Sequence, residues 1–277
     1  MTTKTRQHSP QTLGSALEKL VLHECRSLQQ ALAVRKELHK GIHESRKACR
    51  RLRSALAFLP PSTAVDALDE ALRQLVHSFS PQRDALIAMR TAQLLGSTHD
   101  APITPEVVDA LRACCEQRLD DAMKEDPHWR RRRTQARRAT SFLAALPWRN
   151  IRSPAAKKTV KRTKRKMKKA HDKAQRQRTP ATSHRWRRRA RKLRYQLDWL
   201  RKARDLAGMK KHRTKRYEHQ AKQLSALTDQ LGWRQDFQIF MHAIEALPDS
   251  DDVLAARSTL NAKSASLSAS EPHAPQH

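Results

Sequence analysis

A chain of 277 residues with 57 Lys and Arg against 27 Asp and Glu carries a formal net charge of +30, and it must repel itself unless anions offset the excess. Hydrophobic residues make up 38% of it and aromatics only 4%, so a core must be mostly Leu and Ala, which suits helices and argues against sheet. No apolar run reaches membrane length, and the four cysteines (Cys25, Cys49, Cys114, Cys115) lack ligand-like spacing, which excludes a spanning helix and a cysteine-based metal centre and predicts reduced core thiols in a cytosolic protein.

In chain order, Leu13, Leu17, Leu20 and Leu28 outline a first helix, and Ile42 to Leu59 a second that stops at Pro60-Pro61. Apolar residues at three and four spacings then predict helices over 62–79, 82–95, 105–124, 128–146, 155–178, 183–206, 212–231 and 235–247. Ser80-Pro81, Thr104-Pro105, Asp126-Pro127 and Ser153-Pro154 each read as an N-cap followed by Pro in the first turn. Residues 1–11 and 248–277 have little periodicity and are expected to be disordered. The fold class is all-α.

The charge is not spread evenly. From His128 to Arg216 there are thirty-five Lys and Arg and three acids, and the remainder is close to neutral. Within this pattern one motif occurs twice. His43, Arg46, Lys47, Arg50, Arg51, Leu52 and Arg53 match His184, Arg187, Arg188, Arg191, Lys192, Leu193 and Arg194 position for position. Leu56 and Leu59 match Leu197 and Leu200 in the same register.

At about 100° per residue, Ile42, Cys49, Leu52, Leu56 and Leu59 form one stripe, and His43, Arg46, Arg50 and Arg53 a second, roughly 120° away. Trp186, Ala190, Leu193, Leu197 and Leu200 stand to His184, Arg187, Arg191 and Arg194 in the same way. Each helix is therefore expected to anchor on one face and present a cation ladder on the next. Like charges at these spacings destabilise a helix by a few tenths of a kcal/mol per pair, roughly, so folding alone gives no reason to build the ladder twice.

These residues resemble the CHAD domain, the conserved histidine α-helical domain, whose mark is H-x2-R-x3-[RK]-[RK]-L-R in each half. Ser80-Pro81-Gln82-Arg83-Asp84 resembles the family's first-half Arg-Asp motif. Leu227, Asp229, Leu231, Gly232 and Asp236 resemble its second-half L-x-D-x-L-G-x3-D motif. The motifs span about residues 12 to 247. The resemblance implies one domain of two pseudo-symmetric helical bundles, over about 12–147 and 154–247, with a basic groove or central pore. It also implies inorganic polyphosphate as partner. The chain departs from the pattern at Gln235, where the second half should carry its Arg, and in a dense Lys-rich stretch from Lys157 to Lys169.

The expected polyphosphate site is the two ladders (His43, Arg46, Lys47, Arg50, Arg51 and Arg53; His184, Arg187, Arg188, Arg191, Lys192 and Arg194), joined by Arg133 and Arg137 and by Lys158, Arg162, Arg165 and Lys169. The Lys-rich stretch either continues the groove or is a solvated face or separate nucleic-acid contact. Arginine suits phosphate because its planar fork engages two oxygens at once. Asp84 and Asp236 read as caps or partners for nearby Arg. No P-loop, zinc pair or acidic metal cluster is present, so neither an enzyme nor a cofactor is expected. The rival reading is non-specific DNA or RNA binding through the same charge, for which two Tyr and five Phe provide few stacking platforms. The expected location is cytoplasmic, with polyphosphate granules as a site of association, and storage, targeting or regulation of a partner all fit.

Overall fold

Thr12 caps the first helix by accepting a hydrogen bond from the Ser15 amide, and Leu13, Ala16 and Leu17 behind it are buried. The computed structural model describes residues 12–34, 36–97 and 103–269, with side chains described as far as residue 261. Among these residues there are ten α-helices and no strand. They are α1 (Leu13–Ala33), α2 (Leu38–Leu56), α3 (Thr63–His77), α4 (Ser80–Gly96), α5 (Pro105–Glu125), α6 (Arg130–Ala145), α7 (Ser153–Gln177), α8 (Pro180–Leu206), α9 (Lys211–Glu245) and α10 (Asp251–Ala269).

Short polar side chains start several of these helices, as the sequence leads one to expect. Ser62 caps α3 and Thr104 caps α5, each accepting an orphan first-turn amide. Thr179 and Thr182 form a reciprocal capping box at α8, with Pro180 in its first turn. Asp126 is fully buried, and its carboxylate accepts the Arg131 and Arg132 amides that open α6. Ser80 and Ser153 are not caps: each lies inside the first turn, and the cap positions fall to Phe79 and Arg152.

Three apolar clusters hold the helices together. The largest joins α1, α2, α3 and α6 and takes in Trp199, Leu200 and Ala203 from the C-terminal part of α8. A second joins α4 and α5 to Phe237, Phe240 and Ile244 of α9 and to α10. The third joins α7 to the N-terminal parts of α8 and α9 through Trp186, Ala190, Leu193, Leu197, Ala221 and Leu227. The first and second parts of the chain therefore interlock. α8 leaves its own cluster to pack on α1 and α2, and the α4–α5 pair packs on α9.

Three expectations change. The segments 212–231 and 235–247 are one continuous 35-residue helix, α9, running through Gly232. The chain after residue 248 forms α10, whose Val253, Ala256 and Leu260 are buried in the second cluster. Residues 1–11 and 270–277 lie outside the described residues. Cys25, Cys49 and Cys115 are buried, and burial pushes the Cys25 and Cys49 thiols up to about 12, but Cys114 is exposed.

Among the glycines, backbone comes nearest at Gly14, where a Cβ would meet the Trp148 carbonyl at 2.6 Å and the Arg149 carbonyl closer still. Backbone cannot yield there as a flexible side chain can. Gly14→Ala is expected to cost about 1–3 kcal/mol, read as a lower urea midpoint with an unchanged slope.

Candidate functional site

The apolar stripe predicted on α2 is buried, with Ile42, Cys49, Leu52, Leu56 and Leu59 all at 6% exposure or less. Fixing that stripe turns the next face, with Arg46 and Arg50, inward toward α4 and α8. The stripe of α8 is likewise buried, and Arg187 and Arg191 follow on its neighbouring face. The Trp199 indole donates to the Arg51 carbonyl at 3.0 Å and the Gln196 amide to the Ser54 carbonyl at 3.4 Å. Partner numbers run in opposite directions, so α2 and α8 are antiparallel where they touch.

Five arginines from three helices converge beside this seam. Arg46 is opposed by the charges of Arg83 and Arg191, Arg50 by those of Arg191, Arg46 and Arg83, and Arg187 by those of Arg191 and Arg83. Burial is the first cause and these neighbours the next. Together they push Arg46 and Arg187 down to about 10 and Arg50 to about 9, and they lower Arg191 too. All four stay cationic at neutral pH, so the lowered values measure a destabilisation of the charged form.

The five are not held alike. Arg46 donates Nη1 to the Val76 carbonyl at 2.6 Å and to Ser80 Oγ at 3.3 Å. Its counterpart Arg187 donates Nε to the Thr228 carbonyl at 3.1 Å and Nη1 to Gln235 Oε1 at 2.5 Å. The two matched arginines thus each bind a main-chain carbonyl of the following helix. Gly232 makes the second contact possible, because a Cβ there would stand 2.5 Å from Arg187 Nη2. Arg83 forks between two acids, Asp84 Oδ1 at 2.8 Å and Asp236 Oδ1 at 3.0 Å. Arg50 and Arg191 have no hydrogen bond or ion pair among the described residues.

The histidines sit at the rim. His184 Nδ1 lies 3.0 Å from Gln235 Oε1, and burial followed by Arg188 lowers its pKa. His43 is lowered in the same direction by burial and by Lys47, Arg50 and Arg90. Its side chain is 72% exposed, so solvent screens that effect. For both rings the shift favours the neutral form.

Other expected residues take different positions. Arg53 is bidentate to Asp69 of α3 at 3.0 and 2.8 Å, and Arg194 donates to Ser225 Oγ of α9 at 2.8 Å, so both tie their helix to the next one. Arg51 faces α1 and pairs with Glu24. Lys47 pairs with Glu44, Arg188 is exposed, and Lys192 is half-buried near Asp69 and Arg53.

Arg133 and Arg137 lie on α6, which packs on α1 and α3. Lys158, Arg162, Arg165 and Lys169 are exposed on α7, because the buried side of that helix is the small stripe Ala156, Thr159, Thr163, Ala170 and Ala174. The α7 charge felt at the seam is Lys166, acting on Lys192. Arg83 was missed as a site residue although its motif is visible. Arg90, two turns further along α4, had no sequence signal.

The sequence profile of the CHAD domain matches residues 12–245. The chain belongs to the CHAD family. The crystal structure of the CHAD domain from the plant Ricinus communis superposes on this CHAD chain with a TM-score of 0.67 at 18% identity. The match covers 96% of this chain and 94% of that one, and at such identity it speaks for the fold alone. No curated protein matches the chain.

Removing an unpaired, half-buried cation should relieve repulsion. Arg50→Met and Arg191→Met are each expected to stabilise the free CHAD protein by about 1–3 kcal/mol, measured by urea unfolding at low salt. A loss of stability in both would mean the two side chains serve the fold.

Proposed function

We propose that this CHAD protein binds inorganic polyphosphate at the arginine cluster, as a binding protein without catalysis of its own. One observation carries the reading: Arg50 and Arg191, half-buried among other arginines, have no hydrogen bond or ion pair among the described residues, and the Asp236 carboxylate that acts on Arg191 is already held by Arg83. A bound phosphate chain would provide counter-charge repeatedly, with two oxygens for each guanidinium fork. Arg46, Arg83 and Arg187 are already oriented by the chain, so their donors are pre-positioned and lose little freedom on binding.

The occupied pairs suggest how binding proceeds. Asp84 and Asp236 hold Arg83 in the free protein, and an arriving phosphate competes with them. The exposed cations of α7 attract the chain from a distance and favour fast association. Cytoplasmic location, association with polyphosphate granules and a role in storage, targeting or partner regulation are consistent with this reading. Among the described residues, no helix is long and apolar enough to cross a membrane.

Competition between long-chain polyphosphate and duplex DNA at about 0.15 M salt, where exposed charges are screened, tests the proposal. Wild type is expected to prefer polyphosphate by at least about tenfold. Arg50→Glu/Arg191→Glu should lose that preference and keep only weak, salt-sensitive binding to either polymer. Equal binding of DNA and polyphosphate by wild type would move the nucleic-acid reading ahead.

The rim histidines add a pH dependence with a defined sign. Their lowered pKa values favour the neutral form in the free protein, and a polyanion beside them raises those values, so protons are taken up on binding. Affinity should therefore be flat near pH 8, rise as pH falls through the bound-state values, and level off below the free-state ones. His43→Ala/His184→Ala should flatten the profile. A wild-type profile without slope between about pH 8 and 5.5 would remove the histidines from the site.

A further inference from the structure

A cleft of about 1120 Å³ lies between the α4–α5 pair, the start of α8 and the second half of α9. Its walls are of two kinds. Leu111, Leu231, Trp233 and Phe237 are among the apolar residues that line it, and Arg118, Arg234 and His242 among the basic ones. Asp84, His184 and Gln235 also line it, and these three touch the arginine cluster. Gln235 Oε1 accepts from Arg187 and lies beside His184, and Asp84 accepts from Arg83. The cleft therefore opens onto the cluster through residues only one hydrogen bond away from it.

A phosphate chain alone gains nothing from the apolar wall, since it has no apolar or aromatic group to bury. Trp233 is the informative residue. The other four tryptophans are at most 5% exposed, and Trp233 is 36% exposed on the cleft wall, with Phe237 behind it at a ring separation of 6.5 Å. An aromatic side chain left open near cations suits a ligand that joins a planar neutral ring to a negatively charged group. The volume slightly exceeds the range of roughly 300–1,000 Å³ typical of small-molecule sites, so a ring, a sugar and water fit together.

We infer that the cleft receives the base of a nucleoside polyphosphate whose phosphates extend past His184 and Gln235 onto Arg187 and Arg83. This rests on the reading of the cluster as a phosphate site and adds a second ligand class to it. Nucleoside polyphosphates and inorganic chains would then compete for the same guanidinia, and only the former would contact Trp233.

Calorimetry and tryptophan emission with ATP, inorganic tripolyphosphate, adenosine and long-chain polyphosphate, in buffer free of divalent metal, test this. Wild type is expected to bind ATP about tenfold tighter than tripolyphosphate, the scale of one base stacked on one aromatic ring. ATP and not tripolyphosphate should quench the emission of the exposed Trp233. Trp233→Ala should bring ATP to the affinity of tripolyphosphate and leave tripolyphosphate unchanged, and Trp233→Phe should keep most of the preference.

Unchanged tripolyphosphate affinity in Trp233→Ala also reports an intact fold. Equal affinities of ATP and tripolyphosphate in wild type, with polyphosphate still bound, would overturn the cleft inference alone. An ATP preference that survives in Trp233→Ala would overturn it too. Failure of wild type to bind polyphosphate and tripolyphosphate would overturn the phosphate reading itself, and the inference with it.

Discussion

Five guanidinium groups are held beside one seam by helices whose apolar faces fix them in place, and they cannot separate without breaking those faces. Burial disfavours the charge on Arg46, Arg50, Arg187 and Arg191 and the neighbouring arginines oppose it further, so the arrangement strains the free protein. The chain answers only part of that strain. Asp84 and Asp236 neutralise Arg83, and main-chain carbonyls receive Arg46 and Arg187. Arg50 and Arg191 remain half-buried with no hydrogen bond or ion pair among the described residues.

The architecture keeps this strain in place. α8 supplies Arg187 and Arg191 from one face and buries Trp199, Leu200 and Ala203 in the cluster built around α1 and α2. α4 supplies Arg83 and packs against α9 in a different cluster. Relaxing the arginines would require α2, α4 and α8 to move relative to three separate apolar clusters at once. Gly232 illustrates the precision involved: one missing Cβ lets Arg187 lie flat against α9 and reach two acceptors. The glycine leaves α9 unbroken because that helix is supported by packing on both sides of it.

Much of this was legible in the sequence. The doubled pattern of His43, Arg46 and Arg50 with His184, Arg187 and Arg191 identified the cation faces, because helical periodicity tied them to apolar stripes that are indeed buried. What periodicity does not encode is the partner of each charge. Arg53 and Arg194 share the ladder with Arg50 and Arg191, yet Asp69 and Ser225 from neighbouring helices receive them, and those are tertiary contacts. Arg51 was diverted by Glu24 for the same reason.

The density of charge on α7 also overstated its part, since its Ala and Thr stripe turns Lys158, Arg162, Arg165 and Lys169 outward. Conversely, Arg83 was written in the Arg-Asp motif, but its place beside the ladders comes from the packing of α4 on α2 and α9. α10 escaped the periodicity because Val253, Ala256 and Leu260 are spaced along a segment otherwise rich in Ser and Ala.

The most direct test of the account is a thermal unfolding series with and without long-chain polyphosphate at matched ionic strength. It compares wild type with Arg50→Met/Arg191→Met. The account predicts a higher starting midpoint for the double variant. It also predicts a rise of several degrees on adding polyphosphate in wild type, with little or none in the variant. Equal rises in the two proteins, from equal starting points, would show that the cluster is neither strained nor the place where the polyanion binds.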